Sequence, residues 1–288
     1  MLQVARLAPR LLRDSSELVR GFLMAQIGDR GGFRDRDGRD DLYYTVFGIE
    51  GLLALQEAPP VERLVSYLRP FGAGDDLDLV HLASLARCDA ALGRETLSDS
   101  DRRRIAERVT AFRSRDGGFQ NEPGSDSGTV YSCFLAAGAY QDLGVGVPDT
   151  EAIAAFIETL RAPDGGYAND PRTTEGTTTA TAAAVTLLRN FRRPPPDEAA
   201  DWLLARACPR GGFLATPRTP MPDLLSTATA LHALSGMERG FEALREPCLD
   251  FIDSLWTNRG GFHGHWADDR VDCEYTYYGL LALGHLGL

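Results

Sequence analysis

A Gly-Gly-aromatic triplet recurs along the chain and limits its fold more than any other feature. The copies are Gly31-Gly32-Phe33, Gly117-Gly118-Phe119, Gly165-Gly166-Tyr167, Gly211-Gly212-Phe213 and Gly260-Gly261-Phe262. Self-similarity at a fixed period marks a repeat architecture. The step from residue 31 to residue 117 is nearly twice each later step, which predicts a worn copy midway. Phe71-Gly72-Ala73-Gly74 stands there, making six copies.

A second landmark follows each triplet: an acid, three residues, then Thr or Ser. The pairs are Asp41 and Thr45, Glu175 and Thr179, Asp223 and Thr227, and Asp272 and Thr276. The third copy has Gly128 and Ser132 with Asp126 just before, and the worn copy has Asp75 and Leu79 followed by His81. Beyond each landmark lies an almost wholly apolar stretch, as in 134–143, 180–188 and 279–288. Helices apolar on every side are buried helices. Between them run amphipathic stretches at 15–26, 60–69, 98–115, 148–161, 196–207 and 239–255, opened by Pro, Ser or Asp as helix starts are. Strand signals are absent.

The pattern predicts an all-α (α/α)6 toroid, a closed barrel of six inner and six outer helices forming one domain over 1–288. Closure is expected because an open solenoid ends in a polar cap. Here the last apolar segment carries none and needs the first repeat to cover it.

The net charge of −11, with 41 acidic against 30 basic residues, argues against nucleic acid as a partner, since phosphate binding needs clustered Lys and Arg. No apolar run is long enough to span a bilayer, and Met1 to Arg13 lacks the apolar core of a signal peptide. A cytoplasmic location is the expectation. Cys88, Cys133, Cys208, Cys248 and Cys273 are scattered without a CxxC pair, so a disulfide framework is not expected. The first four read as buried small hydrophobes.

The repeat with its inner and outer helices resembles the β subunits of protein prenyltransferases and the repeats of squalene–hopene and terpene cyclases. GGFRDRDGRDDLYYTVFGIEGLLAL (31–55) is similar to the final repeat of Rab geranylgeranyltransferase β subunits. GGFHGHWADDRVDCEYTYYGLLAL (260–283) resembles that family's repeat carrying two zinc ligands. The resemblance implies an α/α toroid around an isoprenoid or similar apolar substrate. It places the family's zinc-binding Asp, Cys and His on Asp272, Glu274 and Tyr44. Zinc prefers thiolate and imidazole to phenol, so the zinc triad is not preserved. The family's diphosphate-binding Arg falls on His265, and its Lys falls near Asp268 and Asp269, whose charge would repel a diphosphate. The cyclase acid motif, DxDD, keeps only its leading acid at Glu175 and Asp223. The resemblance thus implies a single-chain relative of both branches with neither branch's chemistry intact, and no α-subunit partner is indicated.

Two roles fit the acids at the helix starts. Each can cap a helix. Converging in an apolar cavity, they can also raise one another's pKa and yield a proton donor. Asp272, Glu274, Asp223 and Glu175 are the catalytic candidates. Tyr44, Tyr131, Tyr275, Trp266, Asp41 and His81 are the substrate-binding candidates, since aromatic faces suit isoprenoid chains and cations. His263, His265, Asp272 and Cys273 form a possible set for a divalent metal, zinc or magnesium. Tyr43, Tyr277 and Tyr278 read as packing, and His232 and His285 as core histidines. Two further functions fit the pattern. One is a non-catalytic toroid holding an apolar ligand or a protein helix. The other is a carboxylate-dependent hydrolase on an α/α barrel, which the shortage of tryptophans to stack sugars disfavours (only Trp202, Trp256 and Trp266).

Overall fold

The computed structural model describes all of residues 1–288. Two short helices, α1 (Leu2–Ala5) and α2 (Pro9–Leu12), come first. Six pairs follow, each an amphipathic helix then a buried one. They are α3 (Ser16–Ala25) with α4 (Leu42–Ala54), α5 (Val61–Leu68) with α6 (Leu79–Ala91), and α7 (Asp99–Ala111) with α8 (Val130–Asp142). Next come α9 (Thr150–Thr159) with α10 (Thr178–Asn190), α11 (Asp197–Leu204) with α12 (Leu224–Gly236), and α13 (Arg245–Ser254) with α14 (Cys273–Leu286). Against the expectation of no strands, β1 (Phe33–Arg34) and β2 (Asp40–Asp41) form a short antiparallel ladder with Phe33 opposite Asp41. The triplet turn folds back on itself closely enough to pair its backbone.

The chain forms two compact units, one of 1–60 with 200–288 and the other of 61–199. In the second unit α8 packs against α6 and α10. In the first, α14 packs between α12 and α4, with α1 also against it. The last buried helix therefore does meet the first repeat. Gly284 of α14 comes so close to α1 that an added Cβ would lie 2.2 Å from the Val4 carbonyl oxygen. The outer side joins in the same way. A Cβ on Gly211 would lie 1.8 Å from the Pro247 oxygen of α13, and one on Gly260 would lie 2.1 Å from the Leu18 oxygen of α3. The last triplet thus touches the first amphipathic helix as the preceding triplet touches the sixth.

The two landmarks form one clamp. The aromatic's backbone N–H donates to the hydroxyl of a Thr on the following buried helix: Phe33 to Thr45, Tyr167 to Thr181 and Phe213 to Thr227, each at 2.9 Å, and Phe262 to Thr276 at 3.4 Å. Thr45, Thr227 and Thr276 in turn donate to the carbonyls of Asp41, Asp223 and Asp272. A buried backbone N–H needs an acceptor, and these hydroxyls supply it.

The clamp corrects the register of three copies. Asp41, Asp223 and Asp272 are N-caps, accepting from the N–H groups of Tyr44, Ser226 and Tyr275. In the fourth copy the cap is Thr177 and the clamp is Thr181, two places beyond Glu175 and Thr179. In the third the cap is Thr129, and in the worn copy it is Asp78. Thr is a favoured cap as Asp is, so an acid marks the start of the helix only where the cap happens to be Asp. Of the cysteines, Cys208 is only half-buried.

Candidate active site at the start of the last buried helix

The first turn of α14 carries Asp272, Cys273, Glu274 and Tyr275, and α4 beside it begins with Tyr43 and Tyr44. The Tyr43 hydroxyl donates to Glu274 Oε1 at 2.6 Å. The loop after the first triplet brings Arg36 across the same junction. Its Nε donates to Asp272 Oδ2 at 2.6 Å, its Nη2 donates to Asp268 Oδ2 at 2.9 Å, and its guanidinium lies 5.2 Å from the centre of the Tyr275 ring. Arg270 returns the contact by donating to the Arg36 carbonyl at 3.0 Å. Asp272 is 3% exposed and uses its other oxygen, Oδ1, to cap α14.

These surroundings set the protonation states. Burial pushes the Glu274 carboxyl up to about 7. The neighbouring Asp272 charge adds to this, against the pull of the Tyr43 hydrogen bond and Arg36. Burial also raises Asp223, although Ser226 gives it both an N–H and an O–H bond at 2.7 Å. Asp268 goes the other way, because Arg36 and two backbone N–H groups outweigh its burial. Burial raises Tyr44 and Tyr275 to about 12, with the Asp272 and Glu274 charges adding to it for Tyr44, and those of Glu274 and Asp223 for Tyr275. Both phenols stay neutral near pH 7. Behind them Phe47 packs against Tyr43, Tyr277 and Tyr278, with ring centroids 4.9 to 5.9 Å apart.

The other sequence candidates lie elsewhere. Trp266 gives its indole N–H to Ser254 at 2.8 Å, sets its ring edge-on to Phe251 of α13, and lies under the Arg210 guanidinium. Glu175, Tyr131 and His81 belong to the second unit. There Tyr131 is exposed, and His81 Nδ1 meets Asp78 Oδ1 at 2.7 Å.

The metal set does not assemble, and this corrects the sequence reading. No three His, Cys, Asp or Glu side chains are placed to hold an ion. Cys273 is fully buried, and burial beside Asp272 pushes its thiol well above the ordinary value. His263 Nδ1 faces the Arg270 carbonyl, and Arg36 occupies Asp272. The donors do not suit zinc.

Two residues of the site escaped the sequence reading. Arg36 lay in a charge-dense loop, Arg34-Asp-Arg-Asp-Gly38, that reads as solvated surface. Tyr43 read as packing, and only the closure of α4 on α14 shows its partner.

The model of the prenyltransferase α/α toroid domain matches residues 12–85, 71–213 and 181–287. No curated relative matches the sequence. Among solved structures, the chain is similar to a variant of a type II terpene cyclase from Scytonema in complex with its substrate, geranylgeranyl dihydroxybenzoate, at 13% identity over 97% of each chain with a TM-score of 0.68. It is similar to the Candida albicans protein geranylgeranyltransferase-I complexed with GGPP, at 13% identity over 94% of this chain and 90% of that one, with a TM-score of 0.70. It is also similar to the GH76A α-1,6-mannanase of a Salegentibacter species, at 13% identity over 94% and 98% of the two chains, with a TM-score of 0.62. At such identities the likeness is one of fold, the all-α toroid, and no helix is long and apolar enough to cross a membrane. With the triplet repeat, the clamp and the family model agreeing over nearly the whole length, the chain belongs to the prenyltransferase α/α toroid family.

Proposed function

We propose that this chain is an enzyme acting on an isoprenoid or similar apolar substrate, with Glu274 as the group that moves a proton. The observation that carries the reading is the Glu274 carboxyl, half-buried beside aromatic rings and titrating near 7 with Tyr43 on one oxygen. An acid of that pKa is present in both forms near neutrality, as a general acid–base catalyst requires. In the acid direction, the O–H bond of Glu274 breaks as an alkene's π pair forms a C–H bond. The carboxylate left behind keeps the Tyr43 hydrogen bond and the Arg36 field. Neutral aromatic rings such as those of Tyr44 and Tyr275, at the starts of the same two helices, stabilise positive charge. A proton lost from the adjacent carbon ends the sequence and restores the acid.

The relatives' names support an apolar substrate. One is bound to a geranylgeranyl dihydroxybenzoate and another to GGPP. The Asp272, Asp268 and Glu274 carboxyls favour a substrate whose reacting end is uncharged.

Incubation with squalene, neutral geranylgeranyl compounds and prenyl diphosphates, followed by mass spectrometry of extracts, tests the reading. A product from the wild type that Glu274→Gln fails to make supports it. Ligand retention by both proteins with no turnover by either would establish the non-catalytic toroid instead.

A further inference from the structure

A cavity of about 300 Å³ lies in the same unit, away from Glu274. Leu11, Leu12 and Ser15 line it from the N-terminal segment, Leu249, Ile252, Asp253 and Trp256 from α13 and its end, and Phe262 and Leu283 complete the wall. Its depth is graded. Ile252, Phe262 and Leu283 are buried, Trp256 is half-buried and Asp253 is exposed. Phe262 is the aromatic of the last triplet, fixed by the Thr276 clamp and set edge-on to Trp256 with centroids 5.1 Å apart.

This cavity is separate from the Glu274 site. Leu283 stands nine residues beyond Glu274 on α14, which at 3.6 residues per turn is the opposite face, about 13 Å along the axis.

We propose that the cavity is a binding site for a small amphiphile: an apolar chain with a hydrogen-bond-donating head, an alcohol or an amine. The volume is at the lower end of the range for small-molecule sites, roughly 300–1,000 Å³. The floor is wholly apolar. The polar side-chain groups among the lining are the Ser15 hydroxyl, the Trp256 indole N–H and the Asp253 carboxylate. A carboxylate only accepts hydrogen bonds and repels an anion, so a fatty acid or phosphate head is disfavoured where an alcohol or amine is not. Because its walls come from the N-terminal segment and from α13, a ligand there ties the first residues to the last repeat and stabilises the folded chain by mass action.

The test uses the full chain with geraniol, decylamine and decanoate as probes. The readout is the indole N–H signals of the three tryptophans in ¹H–¹⁵N spectra, with Trp256 assigned from Trp256→Phe. Geraniol and decylamine are expected to shift the Trp256 signal and leave those of Trp202 and Trp266 in place. Decanoate is expected to bind roughly ten-fold more weakly than decylamine. Leu249→Trp fills the cavity and removes the shift. Asp253→Asn, at an exposed position that leaves folding intact, weakens decylamine roughly three-fold, the scale of an exposed charge pair. An unmoved Trp256 signal up to the solubility of both probes would overturn the site. So would equal shifts in folded Leu249→Trp. Decanoate binding as tightly as decylamine in the wild type would overturn the assignment of the head group.

Discussion

Tyr43 and Glu274, 231 positions apart in sequence, share a 2.6 Å hydrogen bond at the junction of the first and last buried helices. The bond favours the ionised carboxylate, whereas burial favours the acid. Tyr43→Phe leaves the burial and deletes the donor. The Glu274 pKa should then rise above its wild-type value of about 7. Carbon-detected NMR of labelled glutamate carboxyls checks this directly. A limb of the pH–rate profile that moves to higher pH would report the same change for any turnover found.

Stability should depend on pH through two groups of opposite sign. Glu274 titrates near 7 in the fold against about 4.5 outside it. The folded state therefore binds more protons in that window, and the contribution is fully present below about 4.5 and lost as pH rises through 7. The shift from 4.5 to about 7 bounds its size at about 3 kcal/mol. His285 is buried on α14, with Nε2 3.1 Å from Nδ1 of His232, and burial holds it down at about 4 against an ordinary 6.5. Here the unfolded state binds the extra proton, so stability falls as pH drops from 6.5 towards 4. The two windows overlap between about 4.5 and 6.5 and the contributions offset each other there, so urea unfolding of the wild type across about pH 4 to 8 should vary little. Glu274→Gln should uncover the His285 loss of stability towards acid pH, and His285→Gln the Glu274 loss towards alkaline pH.

Arg36 is expected to hold the junction together. It bridges Asp268 and the nearly inaccessible Asp272. Arg36→Met leaves a buried carboxylate without its counter-charge and should cost about 3–5 kcal/mol. Asp272→Asn keeps a cap, since Asn serves as well as Asp, and should cost less. If the pair acts as a unit, the double variant is more stable than the sum of the two losses predicts, and a double-mutant cycle measures the coupling.

The fold was legible in the sequence because two kinds of signal agreed. The Gly-Gly-aromatic spacing gave the number of repeats, and the run of apolar residues through Gly279 to Leu286 could only be buried. The site was legible in part. Asp272, Glu274 and Tyr44 were brought to one place by aligning the last copy with the first. Arg36 and Tyr43 were not, because their roles depend on a partner more than two hundred residues away. Glu175 was drawn in by an acid two places short of its helix cap, a slip that helix-start composition cannot resolve.

The clamp and the close glycines make a last, graded prediction. Thr45→Val, Thr181→Val and Thr227→Val each remove the acceptor of a buried backbone N–H while keeping the side chain's shape. Each should cost about 1–3 kcal/mol. Thr276→Val should cost the least, since its bond to the Phe262 N–H is the longest of the set at 3.4 Å. The glycines separate conformation from crowding. Gly124 and Gly211 both have positive φ, at 77° and 87°, which costs an alanine roughly 1–2 kcal/mol. Nothing lies within 4 Å of a Cβ on Gly124, whereas one on Gly211 would meet the Pro247 carbonyl at 1.8 Å. That oxygen is backbone in the first turn of α13 and cannot rotate away. Gly124→Ala should therefore lose only the conformational term. Gly211→Ala should lose several kcal/mol more, by pushing α13 off the turn. Denaturant unfolding of the two variants side by side checks the difference, and equal losses would show that α13 yields to the intruding methyl at little cost.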